Sequence, residues 1–368
     1  MSIDKRPNGK WRARWREYPG GPQRSQHFGK KVDAERRLVK VNHDLSIGSY
    51  VDPQKAKTTV ETYYAAWCAR QPWRASTRAS VSSMFDGHVL PTFGPRPIGS
   101  IRRGDVEAWA AGLDLSPSTA GLAVQYLGTM LESAVTDGLI AVNYAHLARR
   151  PRVDAEPVVP FTSAEVDQLR NAAPAWFRVA LTLGASCGLR QSEATGLTAD
   201  RINFLGRELK VDRQLVTPAK GEPSFGPLKT SRSYRTVPLA DVALEELAAH
   251  LKAYTTDTTD TTDTDRLVLH EDGRPVRRQR FGQVWRSLRN RARLPTARFH
   301  DCRHTYASVL LSGGVSVPAA AEYLGHSPAV LLTTYAHLMP ADHDRARGAV
   351  QAAFAQNAED SMRTERAG

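Results

Sequence analysis

The segment 148–160 limits how this 368-residue chain can fold more than any other feature. It reads ARRPRVDAEPVVP, with prolines at 151, 157 and 160. Because proline fixes φ and lacks a backbone N–H, neither a helix nor a central strand can run through it. Residues 51–57 form a second break. We therefore predict separate units: a domain over 1–50, a domain over 58–147, a linker over 148–160, a domain over 161–345 and a tail over 346–368.

The first 50 residues predict a three-stranded sheet and one helix. In one strand small and aromatic side chains alternate with cations: Trp11, Arg12, Ala13, Arg14, Trp15 and Arg16. A period of two places the cations on one face of the strand. Such a face can lie in a DNA groove, which makes Arg12, Arg14 and Arg16 candidate DNA-binding residues. The alternative is an edge strand in which arginine opposes aggregation.

The rest of the chain predicts a mainly α protein with small β elements. Apolar residues recur at helical spacing around 60–67, 106–113 and 118–135, which indicates a helical bundle. The third domain opens with a capping box at 162–165 and mixes helices with short strands around 201–216 and 234–239, as in an α+β domain. The repetitive tract 255–265, TTDTTDTTDTD, is expected to be an exposed loop.

The charge of the chain points to a polyanionic partner. The net charge is +12, and it is concentrated in two stretches. Residues 1–50 hold 12 Lys and Arg against 5 Asp and Glu, and residues 266–303 hold 11 Arg against 3 acids. Each cation that neutralises a phosphate also releases condensed counterions, which favours nucleic acid as the partner. The alternative is a protein whose basic face serves only solubility.

Other classes of protein fit the sequence poorly. Cys68, Cys187 and Cys302 are odd in number and far apart, so they predict neither a disulfide framework nor a zinc site. The N-terminal residues lack the apolar core of a signal peptide, and no run approaches the roughly 18 apolar residues of a membrane span. We therefore predict a cytoplasmic protein with no membrane partner.

Four segments of the third domain carry charged, histidine or tyrosine residues that are candidates for a functional site. They are CGLRQSEATGLT at 187–198 with Arg190 and Glu193, GPLKTSRSYRTVPL at 226–239 with Lys229, HDCRH at 300–304 with His300 and Arg303, and LGHSPAVLLTTYAH at 324–337 with His326 and Tyr335. Arg190 is predicted to begin a helix, with Glu193 one turn later. Lys229 is predicted to lie in a turn between strands. His300 and Arg303 share one helical face.

Taken together, these segments resemble the tyrosine recombinases, the phage integrase family, in their order and spacing. The resemblance covers the whole third domain, which would be the catalytic domain. Residues 58–147 resemble the core-binding domain of the family, and residues 1–50 resemble its arm-binding domain. Two departures concern packing: Cys302 stands where an aliphatic residue is commoner, and LTADRINF lacks a frequent tryptophan.

The resemblance implies a reaction and a role for each residue. Tyr335 would attack a DNA phosphodiester and leave a 3′-phosphotyrosyl link and a free 5′-hydroxyl. Arg190 and Arg303 would stabilise the charge that gathers on the non-bridging oxygens. Lys229 would protonate the departing oxygen. Glu193 would support Arg190, His300 would either support the residues that touch the phosphate or act in acid–base chemistry, and His326 would donate a hydrogen bond to the phosphate.

The resemblance also implies partners. These are double-stranded DNA with core-type and arm-type attachment sites, a homotetramer assembled on that DNA, and a directionality factor or host DNA-bending protein. The linker cations Arg149, Arg150 and Arg152 would contact DNA between the two halves of a clamp. Because the phosphotyrosyl bond conserves the energy of the broken phosphodiester, no metal, nucleotide or other cofactor is expected.

Two other functions remain open at this point. A type IB topoisomerase uses the same tyrosine chemistry but relaxes supercoils, and the arm-type domain weighs against it. A DNA-binding regulator that has kept the fold without the activity is the second, and the complete set of candidate catalytic residues weighs against it. We therefore predict a site-specific integrase of a phage or other mobile element.

Overall fold

The computed structural model describes residues 1–48, 50–152, 158–218, 221–254, 267–338, 347, 348 and 350–352. The chain divides into two compact units, Met1–Ala155 and Glu156–Gly368. Helices dominate both units, and the strands form only small sheets. The predicted multidomain, mainly α fold is therefore confirmed. The expected loop at 255–265 lies outside the described residues, as do linker residues 153–157 and most of the predicted tail.

The first unit begins with the predicted sheet and helix. Its elements are β1 (Ser2–Lys5), β2 (Trp11–Arg16), β3 (Gln23–Phe28) and α1 (Lys31–Ser46). The strands are antiparallel in the order β1-β2-β3, and α1 packs across β2. Ala13 and Trp15 of β2 form a small buried core with Ala34 and Val41 of α1. The period-two pattern thus gives the sheet its buried face.

The opposite face of β2 carries Arg12, Arg14 and Arg16. Asp4 of β1 lies directly across from Arg12, accepts hydrogen bonds from it at 3.0 and 3.2 Å, and lies 3.3 Å from Arg14. The hydrogen bond from Arg12 lowers the pKa of the Asp4 carboxyl. Because partly exposed ion pairs contribute little stability, these pairs chiefly hold the arginine side chains in place on a face that stays cationic.

A helical bundle completes the first unit. Its helices are α2 (Val60–Ala69), α3 (Ala75–Met84), α4 (Leu90–Phe93), α5 (Arg103–Ala111), α6 (Pro117–Thr136) and α7 (Tyr144–Leu147), with a π-helical turn at Phe85–Val89. Aromatic residues fill much of the core; the rings of Tyr64 and Phe85 stack at 4.2 Å. Helix α3 lies within the predicted bundle but was not among the helices named from apolar spacing, because ASTRASVSSM lacks an apolar stripe and buries only Val81.

The second unit mixes helices with short strands. Its helices are α8 (Ser163–Ala172), α9 (Arg178–Ala185), α10 (Gln191–Thr195), α11 (Asp241–Tyr254), α12 (Arg278–Arg291), α13 (Phe299–Ser312), α14 (Val317–Leu324) and α15 (Pro328–Tyr335). Its strands are β4 (Ile202–Asn203), β5 (Glu208–Val211), β6 (Gln214–Val216), β7 (Ser224–Gly226), β8 (Arg235–Pro238), β9 (His270–Glu271) and β10 (Arg274–Pro275). One sheet has the order β4-β5-β8, and β6-β7 and β9-β10 are hairpins. No helix in the described ranges is long and apolar enough to cross a membrane.

The close packing of α9 against α13 forms the centre of the second unit. Gly184 of α9 faces Cys302 of α13, and a Cβ at Gly184 would lie 2.8 Å from the Cβ of Cys302. Cys302 is fully buried, as expected of a small apolar residue, and burial raises the pKa of its thiol. The contact brings the turn that follows α9 next to the first turns of α13, which carry the candidate residues.

Candidate active site

Arg190 lies at the start of α10, where Glu193 holds it. The Arg190 backbone N–H donates to Glu193 Oε2 at 2.9 Å, and Nη1 donates to Oε1 at 2.8 Å. Nη2 lies 3.4 Å from the carbonyl oxygen of Gly325. About a third of the Arg190 side chain (31%) is exposed, so the guanidinium is fixed in direction but open to an anion.

Glu193 is buried and has a second cationic partner, Arg235 of β8. Arg235 Nη2 donates to Glu193 Oε2 at 2.8 Å, and Arg235 Nε donates to the carbonyl oxygen of Tyr323 at 2.7 Å. Burial opposes the charge of the carboxylate, yet Arg235 and then Arg190 lower the pKa of Glu193 to about 2. Sequence reasoning missed Arg235, which has no motif of its own and meets Glu193 only through tertiary packing.

This network makes stability depend on pH. The pKa of Glu193 is about 2 in the fold against about 4.3 in an unfolded chain, a difference on the order of 3 kcal/mol. A depressed carboxyl pKa stabilises the fold fully above the unfolded value, and the contribution is lost as the pH falls toward 2. Glu193→Gln should therefore lower the unfolding temperature at pH 7, and its deficit relative to wild type should shrink toward pH 3. A deficit independent of pH would contradict the charged network.

Arg303 lies fully buried on α13 in the centre of the site. Its Nη1 donates to the carbonyl oxygen of Gly188 and its Nη2 to that of Leu324. Burial and then the charge of Arg190 lower the pKa of Arg303 to about 9, which leaves the guanidinium charged near neutrality. Its buried Nε–H has no hydrogen-bond partner among the described residues.

His326 follows α14 and contacts Arg303. Its Nε2 lies 3.0 Å from Arg303 Nη2, and because a guanidinium can only donate, Nε2 must accept. Burial and then Arg303 lower the pKa of His326 to about 3, so the ring is neutral and its proton is on Nδ1. That Nδ1–H is also buried without a partner within the described ranges. Buried donors are normally paired, so the N–H groups of Arg303 and His326 form a donor set that lacks an acceptor.

Two glycines in the left-handed region shape the backbone around these side chains. Gly188 has φ +64°, and a Cβ there would lie 2.4 Å from the Tyr306 ring. Gly325 has φ +62° and ends α14 immediately before His326. Their carbonyl oxygens accept from Arg303 and Arg190, respectively. Glycine is therefore required where the chain turns to meet each arginine.

Tyr335 ends α15 and is only 1% exposed. Its hydroxyl lies 2.6 Å from Nδ1 of His304, a buried histidine beside Arg303 on α13. Burial raises the pKa of Tyr335, and the charge of Arg303 acts in the opposite direction. The ring of His300, which is exposed, lies edge-on to His304 with centroids 4.7 Å apart. Sequence reasoning gave His304 no role, although it stands in the same HDCRH segment.

The other predicted residues lie apart from this cluster. Lys229 is exposed in a bend between β7 and β8, and in the described part of the chain it makes no hydrogen bond to the candidate catalytic residues. The side chains of Arg149, Arg150 and Arg152 are exposed near the end of the first unit. The structure thus joins Arg190 to Glu193 and Arg303 to His326 by direct contacts. Both arginines contact backbone carbonyl oxygens at the end of α14, and Tyr335 and His300 lie against His304 on the helix of Arg303.

The cluster can bind an anion, and the buried phenol of Tyr335 contacts the same helix α13. The two buried donors without partners, Arg303 Nε–H and His326 Nδ1–H, and the partly exposed guanidinium of Arg190 are groups suited to a phosphate oxygen. Among the described residues, no group of three or more His, Cys, Asp and Glu side chains is placed to hold a metal ion.

Comparison with known proteins agrees with this geometry. Residues 160–341 match the phage integrase family. A prophage phiRv2 integrase of Mycobacterium tuberculosis is 23% identical over 366 residues, which cover 96% of this chain and 95% of that protein. The Tn1549 transposon integrase in complex with transposon right end DNA has a TM-score of 0.69 and 22% identity, covering 80% of this chain and 99% of that one.

A second solved structure extends the likeness in fold. A lambda integrase tetramer bound to a Holliday junction has a TM-score of 0.55 and 18% identity, covering 88% of this chain and 95% of that one. The predicted family and the predicted class of function, a site-specific recombinase of a mobile element, are confirmed. The family match spans all six candidate catalytic residues. The chain belongs to the phage integrase family, the tyrosine recombinases.

Proposed function

We propose that this recombinase integrates or excises a mobile element by cleaving and rejoining DNA through a 3′-phosphotyrosyl link to Tyr335. The observation that carries the proposal is the unsatisfied donor set. Arg303 Nε–H and His326 Nδ1–H are buried without partners among the described residues. The partly exposed guanidinium of Arg190 contacts the carbonyl oxygen of Gly325, the residue before His326. A phosphodiester would supply the missing acceptor oxygens.

The electrostatics favour the transition state over the bound substrate. The attack of an oxygen on a phosphodiester gathers additional negative charge on the non-bridging oxygens. Fixed cations that need no reorganisation stabilise that charge. Glu193 and the carbonyl oxygens around Arg303 hold the two guanidinium groups before DNA arrives. Acceptors hold both arginines on only some of their N–H groups, which leaves other N–H groups for the phosphate oxygens.

Tyr335 would be the nucleophile and Lys229 the general acid. The charge of Arg303 acts on the Tyr335 hydroxyl, so a phosphate bound to Arg303 would lie near the phenol oxygen. The exposed bend that carries Lys229 suits a residue that must reach the departing 5′-oxygen on DNA. An ammonium group there would deliver the proton that the leaving alkoxide requires.

The domains proposed from sequence would divide the DNA contacts. Residues 58–147 and the catalytic domain would clamp the core-type site, with Arg149, Arg150 and Arg152 along the linker, and residues 1–50 would bind arm-type sites. The lambda integrase structure contains a tetramer on a Holliday junction, which supports a homotetramer on DNA for this chain. Two DNA contacts in each protomer would add avidity through effective concentration.

A two-site plasmid distinguishes strand exchange from relaxation. A supercoiled plasmid with both attachment sites should give recombined products, detected by restriction analysis. Relaxed topoisomers without any recombined product would instead indicate an activity like that of a type IB topoisomerase.

The proposed arm-binding role predicts that the effect of charge reversal on DNA binding depends on whether β2 or α1 is changed. Changing Arg12, Arg14 and Arg16 to Glu should abolish arm-site binding and leave cleavage of a core site unchanged, because reversed charges repel the phosphates. The matched control changes Lys31, Arg36 and Lys40 of α1 to Glu, with the same change in net charge. Gel-shift titration with arm-site DNA would measure both triple variants, and equal losses of affinity would contradict a specific DNA-binding face.

Recombination is expected to continue in EDTA without added nucleotide. The proposed chemistry draws its charge stabilisation from Arg190 and Arg303, and the phosphotyrosyl bond conserves the energy for rejoining. Product yield on the two-site plasmid, with and without chelator, is the measurement. A strict requirement for Mg²⁺ would contradict the proposal.

A further inference from the structure

His304 is placed to act directly on the reacting oxygen. Its Nδ1 lies 2.6 Å from the Tyr335 hydroxyl, and this is the one hydrogen bond that the described residues give that hydroxyl. Both residues are buried, with 8% of His304 and 1% of Tyr335 exposed. A contact of this length between a nucleophile and an imidazole is the geometry required of a general base.

The other candidate bases are engaged elsewhere. His326 Nε2 accepts from Arg303, and both oxygens of Glu193 are bound by Arg190 and Arg235. His300 is exposed and meets the ring of His304 rather than the phenol. Within the described ranges, His304 is therefore the basic side chain in hydrogen-bond contact with the nucleophile.

We propose that His304 is the general base of the cleavage step, an inference that rests on Tyr335 being the nucleophile. The proton of the Tyr335 hydroxyl passes to His304 Nδ1 while Oη forms its bond to phosphorus. The bond from phosphorus to the 5′-oxygen breaks, and that oxygen takes its proton from Lys229. In rejoining, the 5′-hydroxyl attacks phosphorus, Lys229 recovers its proton, and His304 returns its proton to the departing phenolate.

The groups around His304 keep its imidazole neutral before DNA binds. Burial, then His300, and the arginines Arg298 and Arg303 lower the pKa of His304 to about 4, while Asp301 acts in the opposite direction. The imidazole is therefore neutral in the DNA-free enzyme, with a lone pair available to accept. A phosphodiester bound to the two active-site arginines would bring negative charge close to the ring and favour the imidazolium during the attack.

The first test separates proton transfer from positioning. Asparagine places a carbonyl oxygen near the position of Nδ1, so His304→Asn keeps a hydrogen-bond acceptor but cannot take a proton. Its rate of covalent adduct formation on a nicked suicide substrate should fall by about 10²- to 10⁴-fold. His250→Asn is the matched control, since His250 is a buried histidine of α11 that bonds the carbonyl oxygen of Val268 at 2.8 Å. A His304→Asn rate close to that of wild type would overturn the proposal.

Two chemical probes keep the test decisive if the variant folds less well. A fluorinated, more acidic tyrosine at position 335 should restore much of the lost rate in His304→Asn, because an acidic phenol needs less help from a base. A substrate with a 5′-bridging sulfur, whose thiolate leaves without a proton, should rescue Lys229→Ala but not His304→Asn. Absence of the first rescue, or rescue of His304→Asn by sulfur, would overturn the base assignment. An adduct formed by Tyr335→Phe would instead show that the nucleophile is wrongly assigned.

Discussion

Replacing Tyr335 with phenylalanine is expected to abolish the covalent protein–DNA adduct and leave DNA binding unchanged. The substitution removes one oxygen, the proposed nucleophile, and keeps the buried ring that packs at the end of α15. The lost hydrogen bond to His304 should cost only about 1 kcal/mol of folding free energy. The adduct is measured on a nicked attachment-site duplex by denaturing gel electrophoresis, and binding is measured by gel shift.

Tyr306→Phe provides the matched control for this result. Tyr306 is a buried tyrosine of α13 in the same unit, so the variant loses a buried hydroxyl without losing the proposed nucleophile. It should form the adduct at a rate close to that of wild type. An adduct that survives denaturation in Tyr335→Phe would remove Tyr335 as the nucleophile.

Replacing Arg190 with alanine should reduce the cleavage rate by about 10²- to 10³-fold, equivalent to about 2.7–4 kcal/mol in the barrier. Arg190 is one of the two fixed cations that face the proposed phosphate site, and it contributes chiefly in the transition state. Single-turnover cleavage of a suicide substrate at saturating protein gives the rate without a contribution from binding. Arg303 is less suitable for this test, because its removal leaves the buried carbonyl oxygens of Gly188 and Leu324 without their donor.

The control for Arg190 is Arg201→Ala. Arg201 is also a partly exposed arginine of the second unit with carboxylate partners, Asp200 and Asp212, but it lies outside the candidate site. Its variant should cleave at the wild-type rate, and the unfolding temperatures of both variants show whether the fold is retained. An Arg190→Ala rate close to that of wild type would contradict the proposed role in charge stabilisation.

Sequence patterns named the candidate residues that belong to local motifs. Arg190 with Glu193, and His300 with Arg303, lie within one helical turn of each other, so residue type and spacing reveal them together. His304 and Arg235 meet the candidate residues only in the folded chain. His304 meets Tyr335 across 31 residues, and Arg235 meets Glu193 across 42. No local pattern distinguishes such partners from an ordinary buried histidine or strand arginine.

The fold was predictable where burial leaves a periodic pattern. Strand β2 alternates strictly because only one face packs on α1, and α6 carries apolar residues along its length. Helix α3 was not among the helices named from apolar spacing, because it rests on the bundle mainly through Val81. Its serines and its arginine do not recur with apolar residues at helical spacing, so the sequence pattern alone does not mark this helix.

The bond between Tyr335 and DNA can be observed directly. Wild-type protein trapped on a nicked attachment-site substrate would be digested with nuclease and protease and sequenced by tandem mass spectrometry. We predict that the peptide containing Tyr335 carries a nucleotide joined through its 3′-phosphate to the phenol oxygen. A nucleotide on any other residue, or one joined through its 5′-phosphate, would contradict the proposed reaction.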